Sequence, residues 1–154
     1  MRVRPVFKTE IQSLRPIAQS WAESTSDNQF NIEIDVEHHM TDLADLALSK
    51  TSDLLVLFTD SGRPVGYMGL QTFNSPLGRQ VIANEHYWYV MPEHRGRGSV
   101  ELIKQARAWA RQQKCSHMIM NASNLASDLH DRVCRLYARL GMKKFETSYI
   151  QEIE

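Results

Sequence analysis

The chain has 154 residues, 42% of them hydrophobic and 23% charged, with seven glycines and five prolines. That length suffices for one domain, residues 1–154, with a proper core, and the composition excludes collagen-like, low-complexity and disordered chains. Eighteen Lys and Arg balance eighteen Asp and Glu, which argues against a general nucleic-acid binder.

Residues Arg2 to Phe7 read as a short first strand. Thr9 followed by Gln12 has the form of a capping box, which predicts a helix from Glu10 to about Glu23. Ile11, Leu14, Ile17, Ala18 and Trp21 supply its apolar stripe, and Pro16 should kink or interrupt it. Ser24 to Asn31 is loop-like. A second helix is predicted from Val36 to Leu48, its stripe being Met40, Leu43, Ala44 and Ala47. From Asp53 the period changes. Leu54 to Thr59 reads as a strand, Asp60 to Pro64 as a turn and Val65 to Phe73 as its hairpin partner. After a turn at Asn74 to Gly78, Gln80 to Val90 is a third long strand, so the three should form an antiparallel meander. Ser99 to Lys114 reads as a helix and His117 to Met120 as a strand, a crossover that makes its flanking strands parallel. Asp128 is a fair N-cap for a helix ending at Leu140, with Gly141 as its stop. Lys143 to Ile153 reads as a last strand. The predicted fold class is α+β, with a mixed and mostly antiparallel sheet and helices on both faces.

The longest purely apolar run, Leu54 to Phe58, is far too short to span a bilayer, and no membrane association is expected. Met1-Arg-Val-Arg-Pro5 has no apolar stretch behind it, so no secretory signal is read. Cys115 and Cys134 do not make a disulfide framework. They read as buried free thiols in a reducing cytoplasm. Charge is unevenly spread: no Lys or Arg falls between Arg15 and Lys50, whereas Arg95, Arg97, Lys104, Arg107, Arg111 and Lys114 face Glu101 alone. Such asymmetry suits two solvated helix faces, or a protein holding an anionic cofactor at one end and a cationic acceptor at the other.

The stretch from Tyr89 to Ser99 couples the end of a strand to an Arg-Gly-Arg-Gly turn and a helix start. Backbone N–H groups and a helix N-terminus in that arrangement can meet a phosphate. Arg95-Gly-Arg-Gly98 is not a Walker A loop, which needs a Lys-Ser/Thr pair, nor a dinucleotide fingerprint, because Glu101 stands where the third glycine belongs. On local sequence alone it is either a phosphate cradle or an ordinary strand-to-helix turn.

Val90-Met-Pro-Glu-His-Arg95 with its glycines, together with Leu136-Tyr-Ala-Arg-Leu-Gly-Met142, resembles the GNAT superfamily of acyl-CoA-dependent N-acetyltransferases. The first stretch is similar to that family's V-x-P-x-x-R-G-x-G cofactor loop and the second to its late l-Y-x-k-x-G-F signature. The order of elements matches the family layout over nearly the whole chain. The resemblance implies a GNAT-like fold and acetyl transfer from acetyl-CoA (coenzyme A) to the amine of a small molecule or protein. Arg95, Gly96, Arg97, Gly98 and Ser99 would wrap the pyrophosphate, and the backbone of Val90 would pair with the pantetheine arm where two strands diverge. Tyr137 matches the tyrosine that protonates the departing thiolate; read by itself, it is a packed aromatic on an amphipathic helix. Dimers are frequent in the family, and a homodimer is an option by that analogy alone; the sequence itself does not set the oligomeric state.

The chain departs from the family pattern at three places. Val100 replaces the usual Gly or Ala of the loop, which should either crowd the approach to phosphate or mean that the helix starts early. His130 stands where an asparagine is often found, and Met142 replaces an aromatic.

Acyl transfer needs a neutral amine and therefore a proton acceptor. Family members place it on the fourth strand, where Glu85 and His86 are the candidates. Strict alternation puts them on opposite faces, Glu85 with Tyr87 and Tyr89, His86 with Trp88 and Val90. A third option is that no protein base is used. His38 and His39 are in no metal-ligand spacing and read as a solvated helix start. No metal is expected. Glu33, Asp35 and Glu37 are candidates to recognise a cationic amine. The alternative to an acetyltransferase is a catalytically weak or inactive GNAT-like acyl-CoA-binding module that acts through a protein partner.

Overall fold

The computed structural model of the chain describes residues 1–126 and 129–153; the expected N-cap Asp128 lies outside them. Five strands form one sheet in the order β1-β2-β3-β4-β5: β1 Arg2–Pro5, β2 Ser52–Phe58, β3 Pro64–Asn74, β4 Val81–Val90 and β5 His117–Ile119. The first four run antiparallel to their neighbours, and β4 and β5 are parallel. The β2-β3-β4 meander and the parallel β4–β5 pair are the predicted relations. The meander needs only short turns, and the parallel pair needs the crossover helix that the period change at Ser99 announces.

Helices α1 Arg15–Thr25 and α2 Val36–Leu48 cover one face of the sheet, and α3 Arg97–Gln112 and α4 His130–Arg139 the other. The Leu54–Phe58 run explains itself in this setting, because β2 is buried on both sides. Leu54, Val56 and Phe58 pack with Leu14, Ile17 and Leu43 under the first helix pair. Leu55 and Leu57 pack with Leu102, Ile103 and Ala106 of α3. Each fully buried aliphatic side chain contributes about 1.5–3 kcal/mol relative to exposure.

Three expectations are corrected. The helix predicted from Glu10 is two elements, a 3-10 segment Lys8–Leu14 and then α1, with Pro16 in the first turn of α1. Pro is harmless there because the N–H it lacks would have no helical acceptor. The cap is not made by Thr9: Glu10 reaches back to accept the Phe7 N–H at 3.0 Å. The predicted last strand is absent, since residues 142–153 carry no regular secondary structure. Phe145, Tyr149, Ile150 and Ile153 are exposed there. Phe145, Tyr149 and Ile153 have the even spacing that would share one strand face, but no ladder pairs this segment with the sheet among the described residues. Finally, His39 is not solvated. It is 3% exposed, stacked on Trp21 at 4.1 Å, with Nε2 2.8 Å from the Tyr67 hydroxyl.

Candidate active site

The β4 strand carries a β-bulge. Leu70 of β3 pairs with Glu85 but Gly69 pairs with Tyr87, leaving His86 as an extra residue. A bulge puts two successive side chains on one face and resets the alternation beyond it. The predicted companions are therefore exchanged. Tyr87 and Tyr89 pack with the α1–α2 cluster, while Trp88 and Val90 pack with α3 and α4. Glu85 lies on the latter side, where its carboxylate accepts the Asn121 N–H at 2.9 Å. His86 lies on the α2 side, and the prediction that the two occupy opposite faces holds.

Ladder pairing between β4 and β5 ends at Asn84 and Ile119. Asn121 replaces the next rung. Its N–H goes to the Glu85 carboxylate, its side-chain Nδ2 donates to the Glu85 carbonyl at 2.6 Å, and its own carbonyl accepts the Tyr137 hydroxyl at 2.8 Å. One residue thus ties Glu85 to Tyr137. Glu85 is 4% exposed, and burial pushes its carboxyl up to about 7 despite the opposing bonds from Asn121. Burial, and then the nearby Glu85 charge, also raises the Tyr137 phenol, which keeps it protonated. The Tyr137 ring stacks at 6.0 Å on Trp88, whose buried Nε1 has no acceptor among the described residues. Asn121 was not singled out by sequence reasoning; a polar residue just past a short edge strand is its only sequence signal.

From Glu85 to Val90, β4 has no strand on its β5 side among the described residues. The Arg-Gly loop closes the far end of this opening. Pro92–His94 forms a 3-10 turn, Arg95 is extended, and Gly96 caps α3 with φ +80°, a conformation that strains any residue with a Cβ. The Val100 N–H donates to the Gly96 carbonyl at 3.1 Å, the first helical bond. The N–H groups of Arg97, Gly98 and Ser99 precede it, and no side chain caps them. The helix therefore starts two residues earlier than predicted, and Val100 lies beyond these N–H groups with its side chain 41% exposed. Gly98 approaches the sheet so closely that a Cβ would stand 2.6 Å from Leu57 Cδ2.

Arg95 turns inward: its Nε donates to the Val90 carbonyl at 3.0 Å and its guanidinium lies over Tyr89. It braces the loop and occupies the Val90 oxygen expected to face a pantetheine. Arg97 is exposed at the helix start. Uncapped N–H groups, a close-packed glycine and an exposed arginine suit a pyrophosphate, and the unpartnered Trp88 donor lies on the same side of β4.

On the opposite face, a cleft of about 270 Å³ is lined by Asp42, Asp45, Gln71, His86 and Tyr87, among others. The Tyr87 hydroxyl donates to Asp42 at 2.8 Å. Of the acidic run expected to recognise a cation, Glu37 is paired with Arg15 and Asp35 caps α2 through the His38 N–H. Asp42 and Asp45 are the acidic groups at the cleft instead. Burial drives the His39 imidazole down to about 4. Both cysteines are free, but neither is buried as expected: Cys115 is half-buried and Cys134 is exposed on α4.

Several solved structures share this fold. A ribosomal-protein-alanine N-acetyltransferase from Brucella melitensis biovar Abortus 2308 superimposes with a TM-score of 0.75 at 18% identity, covering 99% of this chain and 100% of that one. An aminoglycoside acetyltransferase from an uncultured soil metagenomic sample gives 0.74 at 14%, covering 99% and 98%. The aminoglycoside N-acetyltransferase AAC(6')-Iy in complex with CoA gives 0.76 at 15%, covering 99% and 93%. No curated protein matches the sequence. The acetyltransferase (GNAT) family matches residues 15–142, from the start of α1 to just past the end of α4, and the chain belongs to that family.

Proposed function

We propose that this chain is an N-acetyltransferase acting as one domain, moving acetyl from acetyl-CoA to a primary amine by direct attack. The observation that carries this reading is the joining of Glu85 and Tyr137 through Asn121 where β4 leaves β5. Acetyl-CoA supplies a thioester carbonyl as the electrophile. The N–H groups of Arg97, Gly98 and Ser99, with the positive end of α3, bind its pyrophosphate, and Arg95 holds the loop in place.

Glu85 is the general base. A carboxylate with a pKa of about 7 can take a proton from an ammonium group at neutral pH and still be ionised in half the molecules. Tyr137 is the acid: its hydroxyl proton, parked on the Asn121 carbonyl, can pass to the sulfur of the leaving thiolate. His86 is on the other face of β4 and belongs to the acceptor side. Asp42 and Asp45 in that cleft favour an acceptor with positive charge, whose amine reaches Glu85 through the opening where β4 leaves β5.

Detection of released CoA thiol across small amines, polyamines and peptides tests the proposal, alongside thermal unfolding with acetyl-CoA. A native-state ligand must raise stability, so no shift at saturating acetyl-CoA would overturn the cofactor assignment. A shift without thiol release across the panel would instead identify a binding module.

A further inference from the structure

A second reactive pair sits on α4 and has no part in the transfer just described. His130 Nδ1 lies 3.1 Å from the Ala122 carbonyl oxygen. A carbonyl only accepts, so Nδ1 carries the proton and Nε2 presents a lone pair. Cys134 Sγ is 3.6 Å from that Nε2, one helical turn on, and the thiol is its donor. A thiol, a base within reach and a third group fixing the base's tautomer are the parts of an activated nucleophile. Cys134 is also exposed. Cys115 offers a contrast within the same chain: it is half-buried against the core, its thiol is pushed up by burial, and Sγ donates to the Gln113 carbonyl at 4.0 Å with no base beside it among the described residues.

The position of the pair gives it a partner. Cys134 and Tyr137 are three residues apart on α4, hence neighbours on the helix surface, and the two groups are close enough for Cys134 to help hold the phenol protonated. An activated thiol therefore stands next to the group proposed to serve the leaving sulfur of a thioester.

We propose that Cys134 is an acyl-acceptor site: without an amine, the chain acetylates itself at Cys134 Sγ from acetyl-CoA. This rests on the acetyl-CoA reading above. The Cys134 S–H gives its proton to His130 Nε2 as Sγ forms a bond to the thioester carbonyl carbon. The bond from that carbon to the CoA sulfur breaks, and the departing thiolate takes the proton back from His130. One thioester and one thiol become another thioester and thiol, so nothing is oxidised and the exchange is close to balanced in energy.

The test is mass spectrometry of the intact chain and its peptides after incubation with acetyl-CoA and no amine. Hydroxylamine cleavage marks a thioester, and thermal unfolding with acetyl-CoA is measured in parallel. One hydroxylamine-labile acetyl group on the peptide containing Cys134 is expected, and none in Cys134→Ser. His130→Asn keeps a side chain able to donate to Ala122 but removes the base, and should slow labelling about a hundredfold. Equal labelling of Cys115, or an unchanged rate in His130→Asn, would overturn the assignment. A chain that acetyl-CoA stabilises and that acetylates amines, yet stays unlabelled, would overturn this inference alone. No stabilisation and no label would overturn both readings.

Discussion

Two buried groups on opposite faces of the sheet make opposite demands on pH, and replacing Glu85 should expose both. In the folded chain Glu85 keeps its proton up to about pH 7, against an ordinary value of 4.5. Between those values the folded state binds more protons than the unfolded one, so stability falls as pH rises, by about 3 kcal/mol in all. His39 does the reverse. Its folded value is about 4 against 6.5, so its contribution is present above pH 6.5 and is lost, again by about 3 kcal/mol, as pH falls towards 4. The wild type should therefore show little net slope from these two groups between about pH 4.5 and 6.5. Glu85→Gln keeps an oxygen for the Asn121 N–H but cannot ionise. Chemical denaturation at a series of pH values should show the variant gaining about 3 kcal/mol on the wild type between pH 4.5 and 8. Its own stability should rise from pH 4 to 6.5, the unmasked His39 slope, and His39→Gln should unmask the opposite one. A difference between Glu85→Gln and wild type that is flat with pH would refute the reasoning.

Other expectations follow from the same geometry. Tyr137→Phe should cut turnover by about a hundredfold or more while leaving the thermal shift with acetyl-CoA in place; unchanged turnover would remove its acid role. His86→Ala should raise KM for the amine more than it lowers kcat, whereas Glu85→Gln should lower kcat, and steady-state kinetics separate the two base candidates. Gly98→Ala should cost about 1–3 kcal/mol in a denaturation curve, because the new methyl would meet Leu57 Cδ2 at 2.6 Å; an unchanged midpoint would mean that α3 can lift freely.

Where a residue's role depends on its own type and its near neighbours, the sequence was a good guide. The α2 bounds, the meander and the parallel β4–β5 pair all follow from period and turn chemistry. The places of Glu85 on β4, of Tyr137 on α4 and of the Arg-Gly loop between β4 and α3 were legible from the order of elements. Long-range choices were not legible. His39 beside His38 gives no sign that one faces solvent and the other fills a space between Trp21, Tyr67 and Tyr87. Helical geometry turns adjacent residues about a quarter of the way round, but which of the two faces inward is set by the elements above and below. Asn121 joins Glu85 to Tyr137 mainly through its backbone, and a backbone hydrogen bond leaves no trace in residue type. Glu37 looked free until the fold brought Arg15 to it.

The bulge at His86 is the clearest case, and it can be tested directly. Alternation along Glu85, His86 and Tyr87 assumes one residue per rung, whereas β3 sets two residues, Gly69 and Leu70, against these three of β4. Deleting His86 should give a regular strand that still sends Glu85 towards α4 and Tyr87 towards α2. The folded state would lose no ladder bond, and the unfolded chain would lose one residue's freedom, about 1 kcal/mol in favour of folding. What it would lose is the local bend that a bulge imposes, and β4 would continue alongside β5 where it now departs. If that departure makes the opening between Val90 and Tyr137, the deletion variant should be folded and no less stable, yet blind to acetyl-CoA. The wild type should gain about 2.7 kcal/mol at a hundredfold excess over Kd, and the variant close to none. A His86-deleted chain that keeps the full acetyl-CoA stabilisation would show that the opening is made elsewhere and that the bulge has no part in it.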